Sequence, residues 1–279
     1  MLSMVTHASL ALAAYAVSVP AVAMRWRAVL CGVTGRRLPL GKLVLASLAS
    51  SFVNNVTAGP GGEACRIVAL VRLKFASASR ATAAVVYERL SEVPAFALMV
   101  LACVVAFARG PWQQLGRIAR PTLVIGFALC AALWIVRGPL VRQWRRLHDR
   151  HDRDPIVIAP RTFAISTAWS FAIWTLDITR LWLIARVFDA AISVPQAAAL
   201  SAIAIVGGLA PTVGGLGVIE GGLIAGLLAF GVPSPTAIAI TAAERSISYG
   251  LATAAGAGAL ALLGGRELWS AMRATPRIL

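Results

Sequence analysis

The residues of this sequence that could do chemistry are ionisable side chains placed inside apolar stretches. Glu88 and Glu92 are four residues apart and share one helix face beside Arg89, while Asp177 and Arg180 are three apart. Each such side chain costs about 2.5–3.5 kcal/mol on membrane-insertion scales, so a cluster of them indicates a function. The candidate substrate-binding residues are Asn54, Asn55, Gly61, Gly62, Glu63, Arg66, Glu88, Arg89, Glu92, Asp177, Arg180, Gly214, Gly215, Gly217, Glu220, Glu244, Arg245 and Tyr249.

Two breaks rich in glycine and proline, at 58–63 and 211–220, give these side chains a common setting. Each break ends one half-helix and begins another, whose free N–H groups and dipole can receive an anionic group such as a phosphate. Arg89 and Arg245 follow the two breaks at matched distances, so we expect both to line a central cavity, each held by a nearby carboxylate, and to add bidentate phosphate contacts. The excess carboxylates could carry protons or meet a cationic headgroup. These residue types therefore suit a polar headgroup that passes through an apolar protein.

A structural explanation of the same charges stays open. Interhelical ion pairs can hold a helical bundle together, and Asp177 with Arg180 fits that role as well as a functional one. Arg66 also fits a position at the cytoplasmic interface, where its guanidinium would reach lipid headgroups. The glutamates and arginines that recur beside both breaks favour a functional role, because an ion pair that only holds helices together does not need a glycine-rich break next to it.

The composition requires a membrane. The 279 residues are 59% hydrophobic with a mean hydropathy of +0.80, which excludes a water-soluble globule. The 26 Lys and Arg outnumber the 11 Asp and Glu, and they lie in short runs between apolar stretches of bilayer-spanning length. We therefore expect a membrane surface, and no nucleic acid, as the partner of this charge. The four cysteines and three histidines show no metal-type spacing, and no hydrolase or nucleotide motif is present, so we expect no metal, cofactor or enzymatic activity.

The apolar pattern predicts five full crossings and two broken regions. Residues 1–24 precede the charged Arg25-Trp26-Arg27, the reverse of a signal peptide, so they predict a retained first transmembrane helix. Backbone freed by a break is tolerated at membrane depth only where protein or a water-filled cavity satisfies it, so the broken regions predict helix-break-helix hairpins. The crossings are 1–24 and about 80–108, 121–136, 162–188 and 235–263, and the broken regions are 40–75 and 197–231.

The positive-inside rule favours hairpins that enter and leave on the same side. Nineteen of the 26 Lys and Arg fall in 25–42, 66–80, 137–161 and the tail after 264. Four fall in 109–120 and 186–196. Re-entrant hairpins place all the rich segments in the cytoplasm and the poor ones outside, with an external N-terminus.

The pattern also repeats along the chain. Glu63 precedes Glu88-Arg89 by 25 residues, and Glu220 precedes Glu244-Arg245 by 24. The odd number of crossings per unit predicts an inverted repeat, with the tips 59–63 and 214–220 close together near the membrane midplane. The predicted organisation is one transmembrane domain, with repeat 1 at about 1–108, a linking helix at 121–136, a basic cytoplasmic loop at 137–161 and repeat 2 at about 162–263.

At these residues the chain resembles the flippase-like integral membrane family, the transmembrane region of lysylphosphatidylglycerol synthetases. The matching segments are 54–63 with Arg66, 87–90, 211–221, and Glu244-Arg245 with Tyr249. The resemblance implies a multi-pass protein of the bacterial inner membrane, associated with moving an aminoacylated or glycosylated lipid between leaflets. It implies membrane lipids, anionic or aminoacylated, as partners.

Two departures from the family pattern limit what the resemblance implies. The family often has a basic residue between the Pro-Gly turn and the Gly-Glu, whereas here Gly61 and Gly62 directly precede Glu63. The sequence also contains no soluble aminoacyl-transferase or glycosyltransferase region, so synthase activity is not implied.

Three functions remain open at this point. The first is a translocator of lipid or lipid-linked headgroups. The second is a proton-coupled transporter of a small polar solute, which the inverted repeat and the surplus carboxylates fit equally well. The third is an intramembrane enzyme with Glu88 and Glu92, or Glu63 and Glu220, as acid and base, but it lacks a nucleophile, a metal set and a nucleotide site.

Overall fold

A computed structural model of the protein describes residues 2–57, 61–109, 159–208, 210 and 212–264. Within these residues every regular element is a helix, which confirms the predicted all-α class. The elements are α1 (Leu2–Thr34), α2 (Leu40–Val56), α3 (Gly61–Arg72), α4 (Ala78–Arg109), α5 (Pro160–Val187), α6 (Val194–Gly208), α7 (Val218–Ala229), α8 (Ser234–Arg245), the π-helical segment π1 (Ser246–Leu251) and α9 (Ala252–Leu262). The linking helix 121–136, nearly all of loop 137–161 and the tail after 264 lie outside the described residues.

The first helix is longer than the sequence pattern predicts. Arg25 and Trp26 are expected at its end, within a basic loop 25–42, but α1 continues to Thr34 and only residues 35–39 connect it to α2. Both side chains are buried. That boundary is wrong because carboxylates of α4 neutralise the charge of Arg25 inside the protein, so this arginine does not need to reach the membrane surface.

The first broken region folds as an antiparallel helical hairpin. The Ser50 hydroxyl of α2 donates a hydrogen bond to the carbonyl of Gly62 in α3, at 2.8 Å. At the other end of the hairpin, the Lys42 ammonium lies 5.6 Å from the centre of the Phe75 ring. The two ends of the region 40–75 are therefore neighbours, and its entry and exit on one side of the membrane stay a prediction.

The second broken region has the same form. Gly207 near the end of α6 packs on Ile219 at the start of α7, and Gly226 near the end of α7 packs on Leu200 in α6. The four helices of the two hairpins contain 12 to 17 residues. At 1.5 Å per residue each is shorter than the roughly 20 residues that a full crossing requires.

The helices outside the two hairpins differ in how well they suit a membrane crossing. By length and apolar composition one described helix is able to cross a membrane, and it covers Ser3–Thr34. α4 and α5, with 32 and 28 residues, are long enough, but their polar and ionisable residues lower their hydropathy. The predicted helix 235–263 exists as α8, π1 and α9 in direct succession. Full crossings by these helices therefore stay predictions.

The packing joins two similar groups of helices. One core lies among α1 to α4 with α9, a second among α5 to α8 with the start of α1, and a third joins α4 to α6. α1 and α5 run antiparallel, since Arg25 contacts Ser170 while Gly32, further along α1, contacts Thr162, earlier in α5. α2 packs on α9, and α6 packs on α4.

Candidate functional site

The deepest charges of the first half lie where α1, α3 and α4 meet. Glu88 of α4 is 1% exposed and accepts hydrogen bonds from Arg25 Nε at 3.1 Å and Arg25 Nη2 at 2.8 Å. Its second oxygen accepts one from Arg66 Nη1 at 2.9 Å. The Arg66 guanidinium lies 5.1 Å from the centre of the Trp26 ring. Arg66 is therefore buried in an ion pair, and a position at the lipid interface is wrong for it.

A second set of charges in the first half is more open. Arg89 contacts Glu63 at the start of α3, and its Nη1 lies 3.0 Å from Glu92. Glu92 also lies 2.6 Å from Arg25 Nη2, which joins this set to the buried one. The side chain of Arg89 is 49% exposed. It is the most accessible arginine of the described network.

The second half repeats the buried pair between α5 and α8. Arg180 donates to Glu244 through Nε at 3.2 Å and Nη2 at 2.7 Å, and both side chains are buried. Its remaining nitrogen, Nη1, donates to Asp177 at 2.6 Å. Asp177 is 35% exposed. One guanidinium therefore holds two carboxylates, one enclosed and one partly open.

The half-helix α7 is tied to the end of α8 by Arg245. Arg245 Nε lies 2.5 Å from Glu220, and its Nη2 donates to the carbonyl of Gly214 at 3.0 Å. Its guanidinium lies 4.8 Å from the centre of the Tyr249 ring in π1. The arginine thus holds the second break against the helix that follows the hairpin. Each of the two matched arginines, Arg89 and Arg245, is held by a nearby carboxylate as predicted.

The two halves share one more correspondence, which the sequence reasoning missed. Arg25 donates hydrogen bonds to Glu88 through Nε and Nη2, and Arg180 donates to Glu244 through the same two nitrogens. The sequence separation of the two pairs indicates this correspondence: Arg25 precedes Glu88 by 63 residues and Arg180 precedes Glu244 by 64. A charge that follows an apolar stretch usually marks the end of a transmembrane helix, so the position of Arg25 alone predicts a helix end and not a buried ion pair.

The half-helix N-termini are not free anion sites. The Asn54 side-chain oxygen accepts a hydrogen bond from the Gly62 N–H at the start of α3, at 3.2 Å. At α7 the Glu220 carboxylate accepts one from the Gly217 N–H at 2.6 Å. Glu63 and Glu220 also place a negative charge in each first turn, where the helix dipole favours it. The expectation that these termini receive a phosphate is corrected, because a side chain of the protein already accepts a hydrogen bond from one N–H at each terminus and the carboxylate in each first turn repels an anion.

The glycines of the two breaks differ in their roles. Gly214, Gly215 and Gly217 have φ of 58°, 71° and 83°, a region that favours glycine. Gly61 and Gly62 begin α3 without positive φ, and Gly62 allows α3 to pack closely on Ser50. Residues 58–60 and 211 of the predicted breaks, and residue 209 just before the second break, lie outside the described residues.

The second break packs against the end of α2. A Cβ on Gly214 would lie 2.9 Å from the Asn55 carbonyl oxygen, which also accepts a hydrogen bond from the Tyr249 hydroxyl at 3.0 Å. The Asn55 amide donates to Thr253 at 2.8 Å. The segment 212–217 is therefore held beside the residue that nearly ends α2, close to where the first break begins. The meeting of the full tips 59–63 and 214–220 stays a prediction.

Two cavities share Asp177, Arg180 and Ser248 as lining residues. The larger has a volume of about 280 Å³ between α1, α2, α5, π1 and α9. The smaller, about 190 Å³, lies among α5 to α8 and π1 and includes Glu244 and Arg245 in its wall. Arg89 lines neither of these two cavities, unlike what the matched spacing predicts. Further polar side chains of the larger cavity are Tyr15, Ser18, Ser47, Ser51, Asn54 and Asn55.

Some polar atoms at these cavities have no partner within the described residues. The buried hydroxyl of Ser47, in the larger cavity, and the indole N–H of Trp174, in the smaller one, make no hydrogen bond there. A buried unpaired polar group costs about 1–3 kcal/mol, so such groups point to a polar occupant or water. No group of His, Cys, Asp and Glu suited to a metal ion occurs in the described part of the chain.

Comparison with known proteins agrees with this architecture. The family model of the lysylphosphatidylglycerol synthase TM region matches residues 3–256, which include both hairpins and every ion pair described above. The chain belongs to this family. It is also similar to a UPF0104 membrane protein of Methanothermobacter thermautotrophicus, with 28% identity over 250 residues, 78% of this chain and 74% of the relative. The family assignment establishes a membrane protein and confirms the resemblance based on the two breaks and the Glu-Arg pairs.

Proposed function

We propose that the protein translocates lipids, moving a polar or lipid-linked headgroup between the leaflets of the membrane. The observation that carries this proposal is the larger cavity, which combines Asp177 and Arg180 with hydroxyl and amide groups in a family of membrane proteins. Polar groups at membrane depth face a cavity or a partner, because lipid cannot satisfy them. The proposed substrates are anionic or aminoacylated membrane lipids.

The size of the cavity supports a headgroup as its occupant. A volume of about 280 Å³ is slightly below the range of typical ligand pockets, roughly 300–1,000 Å³. It suits a headgroup whose acyl chains stay in the bilayer outside the protein. The proposed role is transport and not catalysis, in the inner membrane of a bacterium.

An inverted repeat is part of the proposal. Matched packing supports it. The first helix of each repeat packs on the helix that follows the hairpin of that repeat, α1 on α4 and α5 on α8. The first hairpin helix of each repeat packs on the last helix of the other repeat, α2 on α9 and α6 on α4. The antiparallel crossing of α1 and α5, the equivalent first helices, is the relation that an inverted repeat requires. We propose that α2–α3 and α6–α7 enter the membrane from opposite faces, with loop 137–161 in the cytoplasm.

Filling the cavity tests the proposal. Ser47→Leu places a larger side chain where a buried hydroxyl has no partner within the described residues. In vesicles with fluorescent lipids, the wild-type protein should speed exchange between leaflets, and Ser47→Leu should slow this exchange at least tenfold. Ser3→Leu, at an exposed position of α1, is the matched control and should exchange lipid at the wild-type rate.

Two results would contradict lipid translocation. One is an unchanged exchange rate in a Ser47→Leu protein that melts at the wild-type temperature. The other is wild-type protein that moves no labelled lipid but takes up a small polar solute when a proton gradient is imposed. The second result would favour the proton-coupled solute transporter.

A further inference from the structure

The two halves of the ion-pair network differ in charge balance. In the first half, three arginines face three glutamates. In the second half, two arginines face three carboxylates. Among the described residues the second half therefore carries one carboxylate more than its arginines neutralise. The first set is Arg25, Arg66, Arg89, Glu63, Glu88 and Glu92, and the second is Arg180, Arg245, Asp177, Glu220 and Glu244.

Geometry identifies Asp177 as the extra carboxylate. Glu244 is buried and holds Arg180 through two hydrogen bonds, which is the stronger bidentate form. Asp177 makes a single hydrogen bond to the same guanidinium and is partly exposed. The position equivalent to Asp177 in the first half is Val22, three residues before Arg25. The additional charge thus belongs to one half only.

Asp177 lies where a change in its charge affects both cavities. Asp177 and Arg180 line both cavities, together with Ser248 of π1. A change in the bond between Asp177 and Arg180 therefore acts on the wall that the two cavities share. Short π-helical segments are frequent at functional sites.

We propose that Asp177 is a proton-binding residue that couples proton movement to passage of the headgroup. The carboxylate binds a proton that the aqueous phase delivers through the cavity, and it becomes a neutral carboxylic acid. The ion pair between Asp177 and Arg180 is then lost, while Arg180 keeps its two hydrogen bonds to Glu244. The network of the second half becomes electrically balanced, like that of the first. The coupling in this inference rests on the proposed function.

The surroundings of Asp177 make it the carboxylate that a proton in the cavity can reach. Asp177 and Glu244 share one guanidinium, and Asp177 is the more exposed of the two. The ionisable groups around it are Arg180 on its own helix, Tyr15 on α1, and Glu244 and Arg245 at the end of α8. α2, α6 and π1 contribute neutral polar groups, namely Asn54, Asn55, Ser201 and Ser248.

Infrared spectroscopy of the protein in vesicles tests the binding of the proton without any transport assay. Lowering the pH from 7 to about 6, a range in which carboxyl groups with ordinary pKa values stay ionised, should produce the C=O band of a protonated carboxyl group in the wild-type protein. The band should be missing from Asp177→Asn and present in Asp189→Asn. Asp189 is the matched control because it is exposed and has φ of 55°, a conformation that asparagine also adopts. A band that persists in Asp177→Asn, or that disappears in Glu244→Gln instead, would overturn the assignment.

Transport in the same vesicles tests the coupling. In the wild-type and Asp189→Asn proteins, lipid exchange should respond to an imposed proton gradient, by up to about tenfold per pH unit for one titrating group. Asp177→Asn should exchange lipid at a rate independent of pH. A wild-type exchange rate that ignores the gradient would refute coupling and leave lipid translocation standing. Wild-type protein that moves no lipid under any gradient would refute the proposed function, and the infrared band would still decide whether Asp177 binds a proton.

Discussion

Replacing Glu88 by glutamine should be among the most damaging single changes in the first half. Glu88 accepts three hydrogen bonds from two arginines and is almost fully buried. After Glu88→Gln, Arg25 keeps Glu92, but the described ion pairs give Arg66 no other carboxylate. Breaking a buried ion pair from one side costs about 3–5 kcal/mol, because the remaining charge is uncompensated. We expect a loss of about that size in the free energy of unfolding.

Glu92→Gln is the matched control, one helical turn further along α4. Glu92 is 17% exposed, and both arginines that it contacts keep another carboxylate, Arg25 with Glu88 and Arg89 with Glu63. Its loss should cost about 1.5–3 kcal/mol, the scale of a hydrogen bond to a charged group, because neither arginine is left without a carboxylate. Equilibrium unfolding in mixed micelles, with wild type and both variants at one detergent composition, measures the difference.

A double variant identifies the cause of the loss. If the cost comes from the uncompensated charge of Arg66, Arg66→Met should recover part of the stability lost in Glu88→Gln, since methionine keeps an apolar side chain beside Trp26. Equal destabilisation by Glu88→Gln and Glu92→Gln, with no recovery in the double variant, would refute the reasoning from buried charge.

Two further predictions concern the second break and the matched arginines. Gly214→Ala should lower the free energy of unfolding by about 1–3 kcal/mol because φ is 58° and the new Cβ would lie 2.9 Å from a backbone oxygen. Gly221→Ala is the control, because a Cβ there meets nothing within 4 Å. Equal melting temperatures of the two variants would contradict the prediction. Arg245→Gln should abolish lipid exchange in vesicles while the protein stays folded, since it removes a guanidinium from the wall of the smaller cavity but keeps much of the side-chain volume. Arg89→Gln, at an arginine that lines neither cavity, should exchange lipid at close to the wild-type rate. Full exchange by a stable Arg245→Gln protein would show that this arginine is structural.

The sequence by itself determined the helical class, the membrane setting and the positions of the two broken regions. These depend on local properties: apolar stretches of bilayer length, and glycine and proline where a helix must stop. The pairing of Glu63 with Arg89 and of Glu220 with Arg245 could also be expected, because the spacing recurs in both halves. A repeated spacing carries information about contacts that no single segment contains.

Tertiary structure decided which charges are buried and what they hold. Arg25 follows an apolar stretch, which predicts the end of a helix, but the packing of α1 against α4 forms ion pairs between Arg25 and both Glu88 and Glu92. The breaks predict anion sites at the half-helix N-termini, but the Asn54 and Glu220 side chains accept hydrogen bonds from backbone N–H groups there. The physical reason is the same in each case: a polar group away from water takes the nearest complementary partner, and which partner is near depends on how distant helices pack.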